Sequence, residues 1–266
     1  MTTFLEQVVA ERRADAAAAR DQRSMSELLA HAVPNLAVRA GARPGEGDAF
    51  TRALQMRRRE GRLAVIAEVK RVSPALGVLA ATVDPAALAL RYAAGGATAI
   101  SVLTEPRHWG GSLTDLAAVR AAVGVPVLCK DVIVDEHQIV EARAAGADAV
   151  LLIAEALTDA ELRRLIDRAR ELNMGALVEA HEPAAFGRAV ATGAAVVGAN
   201  ARDLRDPMTI DRGRARQLAS FVRSDQIFVA ESGIASELAA AGVPRSSIVL
   251  GLKPPSRRGF GDYATA

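Results

Sequence analysis

The chain has 266 residues, half of them hydrophobic but only 3% aromatic, with a formal net charge of +2. Balanced charge leaves no footprint for a polyanion, so no nucleic-acid partner is expected, and the single cysteine, Cys129, excludes an internal disulfide framework and fits a reducing compartment. No apolar run is long enough to span a bilayer, and the charged, alanine-rich start lacks the apolar segment of a signal peptide, so no membrane partner and a cytoplasmic location are expected.

In chain order, Phe4 to Arg20 reads as an amphipathic helix with Leu5, Val8 and Val9 on one face. Ser26 is placed to cap a second helix, Glu27 to Ala32, which Pro34 ends. Gly41 to Asp48 is rich in Gly and reads as a loop, and Phe50 to Arg59 is a third helical segment. Residues 1–62 are thus expected to be a helical N-terminal extension packed on the main domain.

From Leu63 apolar strands alternate with helices. Strands are expected at 63–69, 98–103, 126–130, 148–153, 175–179, 195–199, 226–230 and 247–250, with helices such as Pro85–Ala94, Leu113–Ala122, Glu136–Ala145, Asp159–Leu172 and Pro183–Ala191 between them. Gly96, Gly146 and Gly193 stand where three helices end and a strand begins, the place for a left-handed cap. Eight strands in this space predict an α/β fold, a (β/α)8 TIM barrel over 63–251, with an irregular tail at 252–266. An open doubly wound sheet would want a glycine-rich phosphate turn after its first strand, and VKRVSPALG is not one.

The strand ends carry the chemistry. Glu68 and Lys70 lie two apart, so they share a face at the tip of the first strand. Polar or charged tips recur at Lys130, Glu179, Asn200 and Glu231 on later strands, and closing the barrel gathers them into one cup at its C-terminal end. Each alone has a blander use. Glu68 with Lys70 makes a structural ion pair, Lys130 a solvated strand end, Glu179 a partner for His181, Asn200 a turn start, and Glu231-Ser232-Gly233 a loop or cap. His31, His108 and His137 read as ordinary surface or helix residues, and the four histidines lack metal-ligand spacing, so no metal and no cofactor are expected. Cys129 reads as a buried strand residue rather than a nucleophile.

Six stretches, VIAEVKRVSP (65–74), WGGSLTDL (109–116), VPVLCKD (125–131), LVEAH (177–181), NARDL (200–204) and AESGI (230–234), together resemble the indole-3-glycerol phosphate synthase family. The resemblance implies a ring closure with loss of carbon dioxide and water, acting on a small phosphorylated substrate, 1-(2-carboxyphenylamino)-1-deoxyribulose 5-phosphate. It implies Lys130 as the general acid on the substrate carbonyl and Glu179 as general base or dehydration partner. Lys70 would hold the substrate carboxylate and share proton transfer, with Glu68 fixing the ammonium groups. Asn200 and Ser232 would bond the substrate near the reacting centre. Ser73, Arg202 and Trp109 would line the pocket, Trp109 walling the aromatic ring where the family often has Phe. Glu231, Gly233 and Gly251 complete the expected substrate-binding set.

The resemblance weakens after Ile234. Ser236 to Ala241 makes a short helix at best, SIVLG still reads as the eighth strand, and Pro254-Pro255 forbids the last barrel helix. The second half of the phosphate site is thereby altered, with Lys253, Arg257 and Arg258 the cations at hand. Val132 stands where the family usually has Phe, and Ala75 where it often has Ser. A monomer or a homodimer fits this chain. The alternative functions are a catalytically impaired or non-catalytic homologue acting as a binding protein, and phosphoribosylanthranilate isomerase, whose Cys and Asp pair is not matched by Cys129 and which leaves the two lysines unexplained.

Overall fold

The computed structural model describes residues 2–30, 47–74, 77–78, 83–211, 213–231 and 249–252. Eight parallel strands close into a barrel: β1 (Ala64–Val69), β4 (Ala99–Leu103), β5 (Val127–Lys130), β6 (Ala149–Ile153), β7 (Gly175–Ala180), β8 (Val196–Asn200), β9 (Ile227–Glu231) and β10 (Val249–Leu252). They stand in chain order, and β10 returns to β1 with Ile66 opposite Gly251. The other two strands, β2 (Val72–Ser73) and β3 (Gly77–Val78), form a small antiparallel hairpin beyond the tip of β1. Strands such as AISVL and AVLLI are buried throughout, as expected where helices cover a parallel sheet. Fully buried side chains such as Ile100 and Leu152 each stabilise the core by about 1.5–3 kcal/mol.

The outer helices are α3 (Pro85–Ala94), α4 (Leu113–Ala122), α5 (Glu136–Ala144), α6 (Asp159–Glu171), α7 (Pro183–Ala191) and a short α8 (Arg214–Ala219) that periodicity did not reveal. Ser112, Asp135 and Thr158 cap the starts of α4, α5 and α6 through their side chains. Gly96, Gly146 and Gly193 have φ of +87°, +96° and +74°, the left-handed conformation expected where helix turns into strand.

The first and last of the N-terminal helices embrace opposite ends of the barrel. α1 (Phe4–Gln22) opens with a capping box between Thr3 and Glu6 and buries Leu5 and Val8. It reaches the C-terminal end, where Arg12 forks onto Asp131 at the tip of β5. α2 (Ala49–Arg59), capped by Asp48, sits at the N-terminal end, where Arg58 donates to the Gln226 carbonyl ahead of β9 at 3.0 Å. Residues 25–30 are helical, but Ser24 rather than Ser26 is the cap. Ser24 Oγ accepts the Glu27 N–H at 3.3 Å, while Glu27 accepts the Ser24 N–H at 2.8 Å. The expected end of that helix, most of the 41–48 loop, the segment 236–241, Ala75 and the tail from Lys253 lie outside the described residues.

Candidate active site

Strand register sets the tips level. Leu103 pairs with Lys130, Ile153 with Glu179, and Asn200 with Glu231. The side chains that point inward at this height therefore meet. Glu68 spans both lysines, with Oε1 3.7 Å from Lys70 Nζ and Oε2 3.3 Å from Lys130 Nζ. Lys130 also lies 3.8 Å from Glu179 Oε2 and donates a hydrogen bond to Glu231. The Asn200 amide donates to Glu179 Oε1 at 2.7 Å. All five charged groups are largely buried; Lys130 keeps 17% of its side chain open toward the mouth.

Burial disfavours charge, and proximity then sorts the groups. For Lys130 desolvation pulls the pKa down, but Glu231, Glu68 and Glu179 together hold it well above the ordinary lysine range. Lys70 is pulled below its ordinary range by burial, with Lys130 and Arg202 adding repulsion that Glu68 only partly offsets. Burial, with Glu179 beside it, pushes Glu231 up to about 8 although Lys130 opposes this. Glu68, Glu179 and Glu231 thus crowd around Lys130, and Glu231 is the carboxyl whose pKa is raised there.

Above this charged floor opens a cavity of roughly 610 Å³ of atom-free space, its mouth included. Its walls are largely apolar, from Trp109, Val132, Leu151, Ile153, Leu204 and Pro207, with Ser73 and Arg202 at polar positions. Arg202 folds back to donate to the Pro207 carbonyl, which shapes the loop after β8. Its guanidinium pKa is lowered by burial.

Most residues singled out from sequence meet here. Glu68, Lys70, Ser73, Trp109, Lys130, Glu179, Asn200 and Arg202 all line the cavity. Glu231 accepts a hydrogen bond from Lys130 at the edge of this group and is not among the residues lining the cavity. Gly251 is placed by its backbone, opposite Glu231 in the sheet, while Ser232 and Gly233 lie outside the described residues. His181 does not pair with Glu179. It lies just past the end of β7, where its Nδ1 donates to the Asn200 carbonyl at 2.8 Å and its Nε2 lies 3.9 Å from Glu182. Asn200 also starts a turn, as its Oδ1 accepts the Arg202 N–H at 2.9 Å. His137 is a helix residue of α5 as expected, fully buried, its Nε2 meeting the Arg23 carbonyl at 3.0 Å. His181, Glu182 and Asp203 offer atoms within 4.8 Å of one another, and Arg205 is paired with both carboxylates. Cys129 is buried beside Thr104, and burial drives its thiol to about 12, which suits a packing role.

Sequence reasoning missed Asp131 and Arg12. Asp131 follows Lys130, and Arg12 holds it through two 3.0 Å bonds, with Thr104 Oγ1 donating at 2.8 Å. An acidic residue directly after the site lysine was the available signal; its cation stands 119 residues away.

Fold and site together define a (β/α)8-barrel protein whose cup sets two lysines among glutamates beneath an apolar cavity, equipment for holding an anion and passing protons. The family model described as indole-3-glycerol phosphate synthase matches residues 5–248, and the chain belongs to that family. It is similar to proteins of that name from three organisms. The Nocardioides sp. protein is 61% identical over 64% of this chain and 65% of its own length, just under two thirds. The Beutenbergia cavernae protein is 47% identical over 87% and 81%, and the Mycolicibacterium vanbaalenii protein 46% identical over 94% and 88%.

Proposed function

We propose that this chain is a carbon–carbon lyase that closes the indole ring of indole-3-glycerol phosphate in tryptophan biosynthesis. Its substrate is 1-(2-carboxyphenylamino)-1-deoxyribulose 5-phosphate, which loses carbon dioxide and water. The observation that carries the reading is Lys130, held protonated by surrounding carboxylates at the base of an apolar cavity. An ammonium that keeps its proton is a donor poised for a carbonyl oxygen as the aromatic carbon attacks. Lys70, on the same floor, meets the substrate carboxylate by charge. Loss of carbon dioxide restores the aromatic ring. In the dehydration the hydroxyl leaves as water on receiving a proton from Lys130, and Glu179, which accepts a hydrogen bond from Asn200, takes the proton released by the neighbouring ring carbon as the double bond forms. The walls formed by Trp109, Leu151 and Ile153 accommodate the ring. Among the expected phosphate-site positions, Ser232, Gly233 and Gly251, only Gly251 is among the described residues.

The names of the relatives favour this enzyme over a binding protein. No helix among the described residues is long and apolar enough to cross a membrane, which is compatible with a cytoplasmic location. A monomer or homodimer goes with this reading. Purified protein given the carboxyphenylamino substrate should generate indole absorbance and fluorescence, and Lys130→Ala should abolish both. Absence of turnover at high substrate concentration would favour the binding protein instead.

A further inference from the structure

Two residues beyond β4, Glu105 is buried to 1% exposure at the edge of the cavity. Its carboxylate accepts three consecutive backbone N–H groups. Oε1 accepts that of Arg107 at 3.0 Å, and Oε2 accepts those of His108 at 2.7 Å and Trp109 at 3.0 Å. Its own carbonyl accepts the Gly111 N–H at 2.9 Å, closing the turn. Hydrogen bonds to a carboxylate are roughly twice as strong as those between neutral groups.

The rest of the turn leaves this loop little freedom. Gly110 has φ of +61°, and a Cβ on Gly111 would lie 2.2 Å from the Leu103 carbonyl oxygen, so the chain lies flat on the end of β4. Phe4 of α1 packs against Trp109 with ring centroids 5.8 Å apart, and His108 Nε2 meets Glu11 at 2.7 Å. A buried carboxylate is an expensive way merely to close a surface turn. Here it is spent on the backbone of the residue whose indole forms the cavity wall.

We infer that Glu105 is a positioning residue, which fixes the Trp109 backbone so that the indole stands against the aromatic ring of the substrate. The substrate half of this inference rests on the function proposed above. The Trp109 half does not, because Trp109 is the only tryptophan of the chain and its emission reports this site alone.

The test compares the unsubstituted protein with Glu105→Gln, Trp109→Ala and the double variant. Gln keeps the size of Glu but turns an N–H₂ toward backbone donors. In the free protein, acrylamide should quench Trp109 more strongly in Glu105→Gln, while far-UV circular dichroism and a cooperative melt remain. With substrate, KM should rise roughly 3- to 10-fold, the scale of one aromatic contact, with kcat nearly unchanged. Adding Glu105→Gln to Trp109→Ala should raise KM no further. Unchanged quenching, or an equal KM increase with and without the indole, would overturn the inference. Should Glu105→Gln fail to fold, Glu105→Asp, which keeps the charge but withdraws the oxygens by one methylene, is read by the same criteria. If the unsubstituted protein shows no turnover, the proposed reaction fails and the quenching comparison still decides whether Glu105 sets Trp109.

Discussion

Glu68 Oε2 lies 3.3 Å from the ammonium of Lys130, while its other oxygen lies 3.7 Å from that of Lys70. One carboxylate therefore serves two cations whose pKa values move in opposite directions, Lys130 upward and Lys70 downward. Glu68 is the principal attraction that keeps Lys70 charged against burial. Replacing it by Gln should lower the Lys70 pKa further. The charged form of Lys70 is then lost at lower pH, so KM for the carboxylate substrate should begin to climb at a less alkaline pH than in the unsubstituted protein. A KM–pH profile above neutrality reads this; coincident profiles would show that Glu68 does not support Lys70.

Glu231 supplies a pH dependence of stability with a definite sign. Its carboxyl is raised from an ordinary value near 4.5 to about 8 in the fold. Between these values the folded state holds a proton that the unfolded state has released. Stability therefore falls as pH rises from about 4.5 to about 8, by at most about 1.4 kcal/mol per pH unit from this one group. Glu231→Gln keeps an acceptor for Lys130 and removes the titration. The variant should gain stability relative to the parent as pH rises through that window. Denaturant unfolding at pH 5 and pH 8 measures the difference, and parallel curves would contradict it.

The charged strand tips were legible in the sequence because a Glu or Lys ending an apolar strand has no place in a packed interior unless something partners it. Periodicity of two put Glu68 and Lys70 on one face, and barrel closure did the rest. What stayed hidden has a physical reason in each case. Arg12 and Asp131 meet across 119 residues, and nothing local in either marks the other. The bond between Glu231 and Lys130 joins strand tips 101 residues apart, which no local pattern reveals. His137 was legible as a helix residue, but its burial was not, since the carbonyl that satisfies its ring belongs to the distant Arg23. The α8 helix has only six residues, too few for a periodic signal.

Arg12 ties α1 to the strand that carries Lys130. Its guanidinium meets both oxygens of Asp131, whose carboxyl is otherwise raised by burial. Arg12→Ala leaves that carboxylate buried and without its cation, which should cost about 3–5 kcal/mol at neutral pH. Asp131→Asn added to Arg12→Ala should recover much of the loss, because the stranded charge is gone. The single variant should also regain stability on acidification as Asp131 takes up a proton. A double-mutant cycle by chemical denaturation tests this, and additive losses would show the pair to be independent.

Gly198 of β8 tests how closely the charged floor is packed. A Cβ there would lie 3.0 Å from Glu231 Oε1 and 3.1 Å from Leu177 Cδ1, with the Glu179 backbone 3.7 Å away. These neighbours belong to the floor of the site and to the barrel interior, so little can yield without moving Glu231 off Lys130. Gly198→Ala should cost about 1–3 kcal/mol as overpacking and lower kcat at least tenfold while the barrel persists. Gly187, in α7, has nothing within 4 Å of such a Cβ. There the same substitution should stabilise by about 0.5–1 kcal/mol, since glycine is a poor helix residue, and leave kcat unchanged. Opposite stability shifts with kcat lost only at 198 would place the sensitivity in the Glu231–Lys130 contact. A Gly198→Ala protein with full kcat would show that contact to be dispensable for turnover.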